Sequence, residues 1–419
     1  MASSAPAPSG RPPLMPLDEA LSRLLVRATP VLGTESVSTF EADGRVLAQD
    51  VVSALTVPPR DNSAMDGYAV RAVDCTVSGA VLTVAQRIPA GSVGTALAAG
   101  TAARIFTGAQ IPEGADTVVM QEEATALPQD GSLGQVRIDV SPPAGQWIRR
   151  AGEDVAAGDV VLARGTRLTP AALGLAASVG MDRLQVARRP RVVLLSTGDE
   201  LVMPGEVAPE AMKPGAIYNS NRFFMRALLT RLGCEVSDLG IVPDRRDATI
   251  EALRGAAASN DLIVTTGGVS VGEEDHIRAA VEALGELQMW SLGIKPGKPF
   301  AYGRIGDAHV TSLPGNPTSS FMTFVLLVRP FLLALQGAAR VAPPAVAMRA
   351  DFDWPRADKR REFLRARRNA SGGLDLFPNQ SSGVLTSAVW GDGVVDTPAG
   401  QPIKAGDTVQ FISFESLLA

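Results

Sequence analysis

The segment from residue 188 to residue 335 alternates between short strand-like runs and longer amphipathic stretches, and this alternation limits the fold more than any other feature. The strand-like runs lie at 191–195, 235–239, 262–264 and 309–312. Helices are predicted at 222–232, 248–258, 275–284 and from about residue 318 onwards. Repeated strand-then-helix units pack as a parallel sheet with right-handed crossovers. We therefore predict a doubly wound α/β domain here.

The remainder of the chain has a different character. Leucines at helical spacing predict a helix over residues 17–25, with Asp18 as its N-cap, and Thr169 and Pro170 predict the start of a helix that runs to Val179. Short β-like runs separated by glycines, at 81–84, 103–106 and 117–120, indicate a small inserted β module. After Pro343-Pro344 the pattern is β-like to the end, which favours a C-terminal barrel or sandwich.

These patterns predict an α/β multidomain chain. Its expected parts are a disordered tail at 1–14, a discontinuous N-terminal mixed domain at 15–60 and 147–187, an inserted β-rich domain at 61–146, the α/β domain at 188–338, and a C-terminal β-barrel domain at 339–419.

Composition excludes several classes of protein. Two cysteines and two histidines rule out a disulfide framework and make a Cys/His zinc site untenable, so carboxylates, lysines, hydroxyls and backbone groups must carry any chemistry. A net charge of −5 gives no general affinity for nucleic acid. Residues 1–16 have no signal-peptide pattern, and the apolar stretch 321–328, stopped by Arg329-Pro330, is too short to span a bilayer. We expect a soluble protein, and low cysteine use fits the cytoplasm.

Turn-rich loops follow the predicted strands of the α/β domain. They lie at 196–200, 265–275, 295–299 and 313–317, and in a doubly wound fold they converge on one crevice. Lys295 and Lys298 suit phosphate or another oxyanion, while the acids of these loops require a cation such as Mg²⁺ beside an anionic ligand. Each loop alone could be a tight turn, a rigid surface turn or a helix-start device. The four together favour a catalytic site.

Several motifs, in this order and spacing, closely resemble one family. They are Asp-Asn-Ser-Ala-Met-Asp-Gly-Tyr-Ala at 61–69, Ser-Thr-Gly-Asp-Glu-Leu at 196–201, Thr-Gly-Gly-Val-Ser-Val-Gly at 266–272, Lys-Pro-Gly-Lys-Pro at 295–299 and Leu-Pro-Gly-Asn-Pro at 313–317. The sequence is similar to the MoeA family of molybdopterin molybdenumtransferases and to the E domain of gephyrin, over essentially the whole chain after the tail. His276 and Ile294 depart from the family pattern without removing a charge or a donor.

The resemblance implies a MogA-like α/β domain and an activity in molybdenum cofactor biosynthesis. Molybdate would be inserted into adenylylated molybdopterin with Mg²⁺-dependent release of AMP. The resemblance also implies a homodimer with a shared cleft, in which Asp61 and Asp154 face the α/β domain of the other subunit. Contacts with the adenylyltransferase and with apo-molybdoenzymes are expected, and contacts with nucleic acid or a membrane are not.

Site residues are implied by the same motifs. The expected catalytic residues are Asp61, Asp154, Glu200, Asp244, Asp275, Lys295 and Lys298, and Glu200 and Asp275 are the expected metal ligands. The expected substrate- and cofactor-binding residues are Thr107, Ser196, Thr197, Gly198, Ser220, Thr266, Gly267, Gly268, Ser270, Gly297, Pro314, Gly315, Asn316, Pro317, Ser319, Arg365, Ser381 and Ser382. Lys298, Ser319 and Arg365 suit a tetrahedral oxyanion, and residues 266–268 suit phosphate.

Two other functions remain open at this level. Molybdopterin adenylyltransferases share the α/β domain and its Thr-Gly-Gly loop, but the extra N- and C-terminal domains and the Asp61 motif argue against that activity. A non-catalytic scaffold, like the anchoring role of gephyrin, has no need of Asp61, Asp154, Glu200, Asp275 or Lys298.

Overall fold

The computed structural model describes residues 14–28, 32–243, 245–267 and 276–418. The predicted tail, apart from Leu14, lies outside these ranges, as do the predicted site residues Asp244, Gly268, Ser270 and Asp275.

The N-terminal segment begins with an amphipathic helix. The elements are α1 (Leu17–Arg27), β1 (Thr34–Ser38) and β2 (Val51–Val52). Leu17, Ala20 and Leu24 recur at helical spacing and are buried against the α/β domain. The prediction of Asp18 as N-cap is wrong, because Pro16 takes that position. The Asp18 carboxylate instead lies 3.0 Å from Arg361 Nη1, in the first helical turn, where negative charge is favourable.

The predicted inserted β module forms a sheet. Its strands, with one short pair beside it, are β3 (Asn62–Ser63), β4 (Gly67–Val70), β5 (Ala80–Ile88), β6 (Thr101–Ile105), β7 (Thr117–Met120), β8 (Ala124–Leu127), β9 (Gln135–Ile138) and β10 (Ile148–Arg149). Within the described residues the sheet has the order β7-β4-β6-β5-β9-β8, and β10 pairs with β3. The three strand predictions in this region are confirmed.

The chain then returns to the N-terminal segment. The next elements are β11 (Val160–Leu162), α2 (Pro170–Ser178) and β12 (Arg183–Ala187). β11 pairs with β2 and β12 pairs with β1, so residues on both sides of the inserted sheet share one core. The predicted cap is confirmed, since the Thr169 side chain accepts a hydrogen bond from Ala172 N and Pro170 occupies the first turn.

The α/β segment has both predicted and unexpected strands. Its elements are β13 (Arg191–Thr197), β14 (Leu201–Val202), β15 (Ile217–Tyr218), α3 (Ser220–Arg231), β16 (Glu235–Val242), α4 (Arg246–Ala257), β17 (Leu262–Thr266), α5 (His276–Leu284), β18 (Glu286–Ser291), β19 (Ile294–Lys295), β20 (Pro299–Ile305), β21 (Ala308–Leu313), α6 (Pro317–Thr323), a π-helical turn (Phe324–Val328) and α7 (Arg329–Leu335).

The central sheet is mixed. Its order in the described residues is β16-β13-β17-β21-β20-β18, and its first four strands are parallel, as predicted. The prediction of an entirely parallel sheet is wrong at the other edge, where β20 runs antiparallel to β21 and β18. The reason is the two-residue turn Gly306-Asp307, in which Gly306 has φ +57° and joins β20 directly to β21 as a hairpin.

Helices cover both faces of this sheet. Val192 and Leu194 of β13 face one core with α1, α3, α6 and α7, whereas Val193 and Leu195 face a second core with α4 and α5. The alternation along one strand is that of a strand buried on both sides. The doubly wound prediction is therefore confirmed.

The apolar stretch that was predicted to stop at residue 328 continues to the end of the last helix of this segment. Residues Pro317–Leu335 form a helical stretch of 19 residues. It is long and apolar enough to cross a membrane, but 94% of its apolar window is buried inside the protein. The helix continues past Arg329 because Pro330 follows the π turn and occupies the first turn of α7, where its missing N–H is tolerated. The helix is identified as part of the protein core by its burial and not by its length.

The C-terminal segment forms a further sheet. Its elements are β22 (Val346–Arg349), β23 (Arg361–Arg368), β24 (Leu374–Leu376), α8 (Thr386–Trp390), β25 (Gly393–Thr397), β26 (Thr408–Ser413) and α9 (Phe414–Leu418). The described strands follow the order β19-β23-β25-β26-β22, with β24 on β23. A bridge between Ala350 and Leu374 joins the end of β22 to β24 and closes a small barrel around a core that contains Phe411.

Candidate active site

The four polar loops leave the same edge of the central sheet. Strands β13, β17 and β21 are parallel and end there. β18 runs in the same direction, because both β18 and β21 are antiparallel to β20, so residues 292–298 also leave from this edge. The predicted convergence is confirmed for the described parts of the loops.

The loops after β13 and β17 contact each other and the loop after β21. Ser196 Oγ lies 3.2 Å from Thr266 Oγ1, and Gly267 N donates to Leu313 O at 3.0 Å. Ser196, Thr197 and Thr266 are buried. Gly267 has φ +93°, and a Cβ there would lie 3.1 Å from Thr197 O. The close approach of these two strand ends therefore requires glycine at 267.

Glu200 is exposed beside this contact. Its carboxylate lies against Gly198, which has φ +140°, so a side chain at 198 would collide with it. The alternative that Asp199 and Glu200 start a helix is wrong, because β14 follows them. Among the described residues no group of three or more His, Cys, Asp or Glu side chains is arranged to hold a metal. Glu200 could hold a cation only together with ligands from elsewhere.

The two predicted lysines have different surroundings. β19 pairs with β23 of the C-terminal sheet, and Lys295 Nζ lies 3.0 Å from Glu362 Oε1 and 3.4 Å from Asp358 Oδ2. Lys298 is exposed and makes no ion pair within the described ranges. Between them, Gly297 has φ +110° and packs against Ser319 O and Thr323 at the start of α6. Of the two ammonium groups, Lys298 is therefore the one available to a ligand.

The loop after β21 leads into the N-terminus of α6. Pro314 is buried, Gly315 and Asn316 are exposed, and Pro317 opens the helix, in which Ser319 is buried. The loop is tied to its neighbours by two hydrogen bonds: Asn221 Nδ2 donates to Gly315 O at 2.7 Å, and Thr318 N donates to Ser382 O at 3.0 Å. The helix start therefore contacts both α3 and the C-terminal segment, next to the predicted residues Ser220 and Ser382.

Several buried polar atoms at this edge have no hydrogen-bond partner among the described residues. They are Thr265 Oγ1, Ser312 Oγ, Thr318 Oγ1, Ser320 Oγ, Asn219 Nδ2 and Asn221 Oδ1. Leaving such atoms unpaired costs about 1–3 kcal/mol each, so an unmet set indicates a place for a polar ligand or water. Sequence reasoning missed Asn219, Asn221 and Thr318. The polar triplet Asn-Ser-Asn at 219–221, at a helix start, was the available signal.

Arg365 is not at the surface of the site. It is 1% exposed, and its guanidinium donates to Ser387 Oγ at 3.0 Å, to Phe363 O at 3.1 Å and to Ser381 O at 3.4 Å. Burial lowers the pKa of Arg365 to about 10, against the opposing effect of Glu362. The guanidinium thus holds the turn with Ser381 and Ser382, while its predicted contact with an oxyanion stays a prediction.

The predicted acids of the N-terminal half lie together, apart from the sheet edge. The Asp61 carboxylate accepts from Ala151 N at 2.8 Å and from Arg150 Nη1 at 2.7 Å. The Ala151 N–H lowers the pKa of Asp61, partial desolvation opposes that effect, and Arg150 lowers it further. Asp154 is exposed, and its N–H donates to Val57 O at 3.1 Å. Asp61 is therefore a pre-oriented carboxylate that stays ionised at neutral pH.

The second acid of the 61–69 motif has a role that sequence reasoning did not assign. Asp66 Oδ1 accepts from both N and Oγ1 of Thr107, each at 2.7 Å. The next residue, Gly67, must be glycine, because a Cβ at this position would overlap Val119 O of the neighbouring strand. The hydrogen bonds that Asp61, Thr107 and Asp154 make with other described residues all fall in this N-terminal half. Within the described part of the chain, none of them links these three residues to the edge of the central sheet.

The fold defines a doubly wound α/β protein whose polar loops meet at the carboxyl ends of parallel strands, the place where open α/β sheets bind their ligands. Family models match the chain at 15–180 (MoeA N-terminal region, domains I and II), 193–334 (probable molybdopterin binding domain) and 347–414 (MoeA C-terminal region, domain IV).

Individual relatives cover most of the chain. The molybdopterin molybdenumtransferase of Haemophilus influenzae is 43% identical over 84% of this chain and 85% of its own length. Molybdopterin molybdenumtransferase 2 of Mycobacterium tuberculosis is 39% identical over 79% of this chain and 82% of its own length. The crystal structure of the molybdopterin biosynthesis moeA protein from Pyrococcus horikoshii has a TM-score of 0.82 at 30% identity, covering 96% of this chain and all of that one. The chain belongs to the MoeA family of molybdopterin molybdenumtransferases.

Proposed function

We propose that this chain is a molybdopterin molybdenumtransferase that completes the molybdenum cofactor. It inserts molybdate into adenylylated molybdopterin and releases AMP. The observation that carries the proposal is the sheet edge where exposed Lys298 follows Gly297, which packs against the start of α6, in a chain of this family. Buried polar groups at the same edge have no partner among the described residues. An oxyanion and a phosphate-bearing pterin are ligands that such a combination of a cation and polar donors stabilises.

The chain's own groups hold and orient the two substrates. Hydroxyls of Ser196 and Thr266 and the polar start of α6 donate to phosphate oxygens of the pterin. The Lys298 ammonium and Ser319 hold molybdate, and the charge of Lys298 offsets negative charge that develops as AMP departs. Gly268, Ser270, Asp244 and Asp275 are included in the site on the strength of the family motifs.

Magnesium would be held by one or two carboxylates of the site, together with substrate phosphates and water. Mg²⁺ in phosphate-processing sites takes one or two carboxylates and completes its shell with phosphates and water. Exposed Glu200, beside the phosphate-binding hydroxyls, supplies one such carboxylate, and Asp275 is proposed as the second. When bound, the ion neutralises charge on the pyrophosphate and its leaving group.

A second copy of the chain completes the cleft in this proposal. Asp61, Thr107 and Asp154 have their contacts within the N-terminal half, so a partner's α/β segment is the surface they would face. An exposed apolar patch of Phe40, Leu173, Ala177 and Met181, with Phe40 96% exposed, supports a homodimer, since such patches mark protein contacts. The cytoplasm is the proposed location, and the adenylyltransferase and apo-molybdoenzymes are the proposed transient partners.

The dimer is tested by mass. Sedimentation equilibrium of the full chain is expected to give twice the chain mass of 43.7 kDa. Phe40→Asp introduces a charge into the apolar patch and is expected to shift the population towards monomer. Val93→Asp, at a 76% exposed valine of the inserted module, is the matched control. Equal dimer fractions for both variants would remove this patch from the interface.

The function is tested with the full chain, adenylylated molybdopterin, molybdate and Mg²⁺. Molybdate-dependent release of AMP and activation of an apo-molybdoenzyme are expected. Glu200→Gln is expected to raise the Mg²⁺ concentration for half-maximal rate by at least about tenfold, because a metal ligand loses its charge. Glu206→Gln, at an exposed acid of the same loop region, is the control. AMP transfer from ATP to molybdopterin would instead indicate the adenylyltransferase, and no AMP chemistry at all would indicate a scaffold.

A further inference from the structure

Two arginines lie side by side on the inserted sheet. Arg104 of β6 is the register partner of Arg87 on β5, and Tyr68 of β4 is the register partner of Arg104 on the other side. The three side chains therefore form a row across neighbouring strands. Like charges directly opposite each other on paired strands are destabilising, so this arrangement requires compensation.

Aromatic rings supply part of that compensation. The guanidinium carbons of Arg87 and Arg104 lie 4.5 and 4.8 Å from the centroid of Phe106, and that of Arg104 lies 5.2 Å from the centroid of Tyr68. Each contact is within the range of a cation–π interaction. Both guanidinium groups share the Phe106 ring, which brings them near each other and leaves both positive charges in place.

No carboxylate forms an ion pair with either arginine within the described residues. Arg104 donates to Gly67 O at 2.9 Å and to Gln121 Oε1 at 2.8 Å, both uncharged acceptors. Arg87 is exposed and makes neither an ion pair nor a side-chain hydrogen bond in the same ranges. Asp66 is close enough for the charge of Arg104 to lower the pKa of its carboxyl, but Oδ1 of that carboxylate accepts two hydrogen bonds from Thr107. The row therefore presents the full charge of Arg87 and a charge on Arg104 that Asp66 offsets in part.

A cavity of about 300 Å³ opens beside the pair. Arg87, Arg104 and Tyr68 line it together with Gln129, Ser132 and Gln135, and its described lining contains no acidic residue. The volume is at the small end of the range for ligand sites. Amide and hydroxyl groups around two guanidinium groups provide the donors that a phosphate group needs on several sides.

We propose that this cavity is an anion subsite that binds a small phosphate-bearing molecule, with the phosphate between Arg87 and Arg104. Planar guanidinium groups match phosphate oxygens in pairs, which favours phosphate over a single carboxylate. This subsite belongs to the inserted sheet and is separate from the edge of the central sheet. Its existence does not depend on the activity proposed above.

Pyrophosphate without metal is the probe, titrated calorimetrically into the full chain at low ionic strength with EDTA. Arg87→Gln is expected to weaken this binding by about tenfold or more, because a charge-assisted contact is lost. Arg87 is the right position because its exposed side chain makes no hydrogen bond whose loss would disturb the fold. Arg137→Gln, an exposed arginine of the same sheet that pairs with Asp139, is the matched control and is expected to bind as the wild type does.

The same comparison in chains that also carry Lys298→Ala distinguishes binding at this subsite from binding at the edge of the central sheet. In Lys298→Ala chains, where anion binding at that edge is weakened, the difference between the Arg87→Gln and Arg137→Gln variants is expected to persist. Wild-type affinity in the Arg87→Gln chain, or no binding of pyrophosphate to the wild type at millimolar concentration, overturns the proposal. Because no turnover is measured, these results are independent of whether the chain inserts molybdate.

Discussion

Replacing Lys298 with alanine is expected to lower the rate of molybdate-dependent AMP release by at least about 100-fold, the scale of losing one electrostatic contact to a developing charge. Lys298 is exposed, has no ion pair in the described residues and follows Gly297, which packs against the start of α6. Its charge is therefore available to the substrates. Because the side chain makes no ion pair or hydrogen bond with the described residues, the free energy of unfolding should change by less than about 0.5 kcal/mol.

Single-turnover AMP release and urea unfolding, measured on the same preparations, test this prediction. Lys404→Ala, at an exposed lysine of the C-terminal segment, is the control for loss of one positive surface charge. A rate within threefold of the control would show that Lys298 does not act on the reaction. Loss of rate together with loss of folding would show that its role is structural instead.

The neighbouring lysine is expected to behave in the opposite way. Lys295→Met should lower the free energy of unfolding by about 2 kcal/mol, because it leaves a buried carboxylate without its charge partner. The Glu362 side chain is 2% exposed, whereas that of Lys295 is 35% exposed, so solvent screens part of the effect and the estimate lies below that for a fully buried pair. Trp354 Nε1 donates to the other Glu362 oxygen at 2.9 Å, which prevents the carboxylate from turning away.

A double-mutant cycle separates the pair from its surroundings. Glu362→Gln removes the charge and keeps an acceptor for Trp354, so Lys295→Met/Glu362→Gln should recover most of the stability lost in Lys295→Met. Urea unfolding of the four chains gives the coupling energy. A Lys295→Met chain as stable as the wild type would mean that the ion pair contributes nothing and that Lys295 remains a candidate catalytic group.

These two lysines illustrate where sequence reasoning reached its limit. The sequence predicted the position of the Lys-Pro-Gly-Lys motif after a strand and the convergence of the four loops. The partner of Lys295 was not, since Glu362 lies far along the chain on β23 and becomes a neighbour only because β19 pairs with that strand. Arg365 is a second example, because its motif position suggested a ligand contact and folding buries it beneath the turn at Ser381.

The hairpin of the central sheet shows a limit of another kind. β20 and β21 are both largely buried, and strands buried on both faces have similar sequence patterns in parallel and antiparallel pairing. The Gly306-Asp307 turn was the one local signal of direction. Similarly, Arg329-Pro330 was expected to stop the apolar stretch 321–328, whereas the helix continues through it after the π turn.

The sequence by itself determined the alternation of strands and helices, the inserted and C-terminal β segments, the motifs of the family and the edge of the sheet where they meet. These follow from local periodicity and turn chemistry, which neighbouring residues decide. Only the tertiary structure decided which polar groups have hydrogen-bond partners and which have none among the described residues. It placed Lys295 in an ion pair with Glu362, left Lys298 exposed and set Arg87 beside Arg104. Charge pairing and burial depend on residues that are distant in sequence.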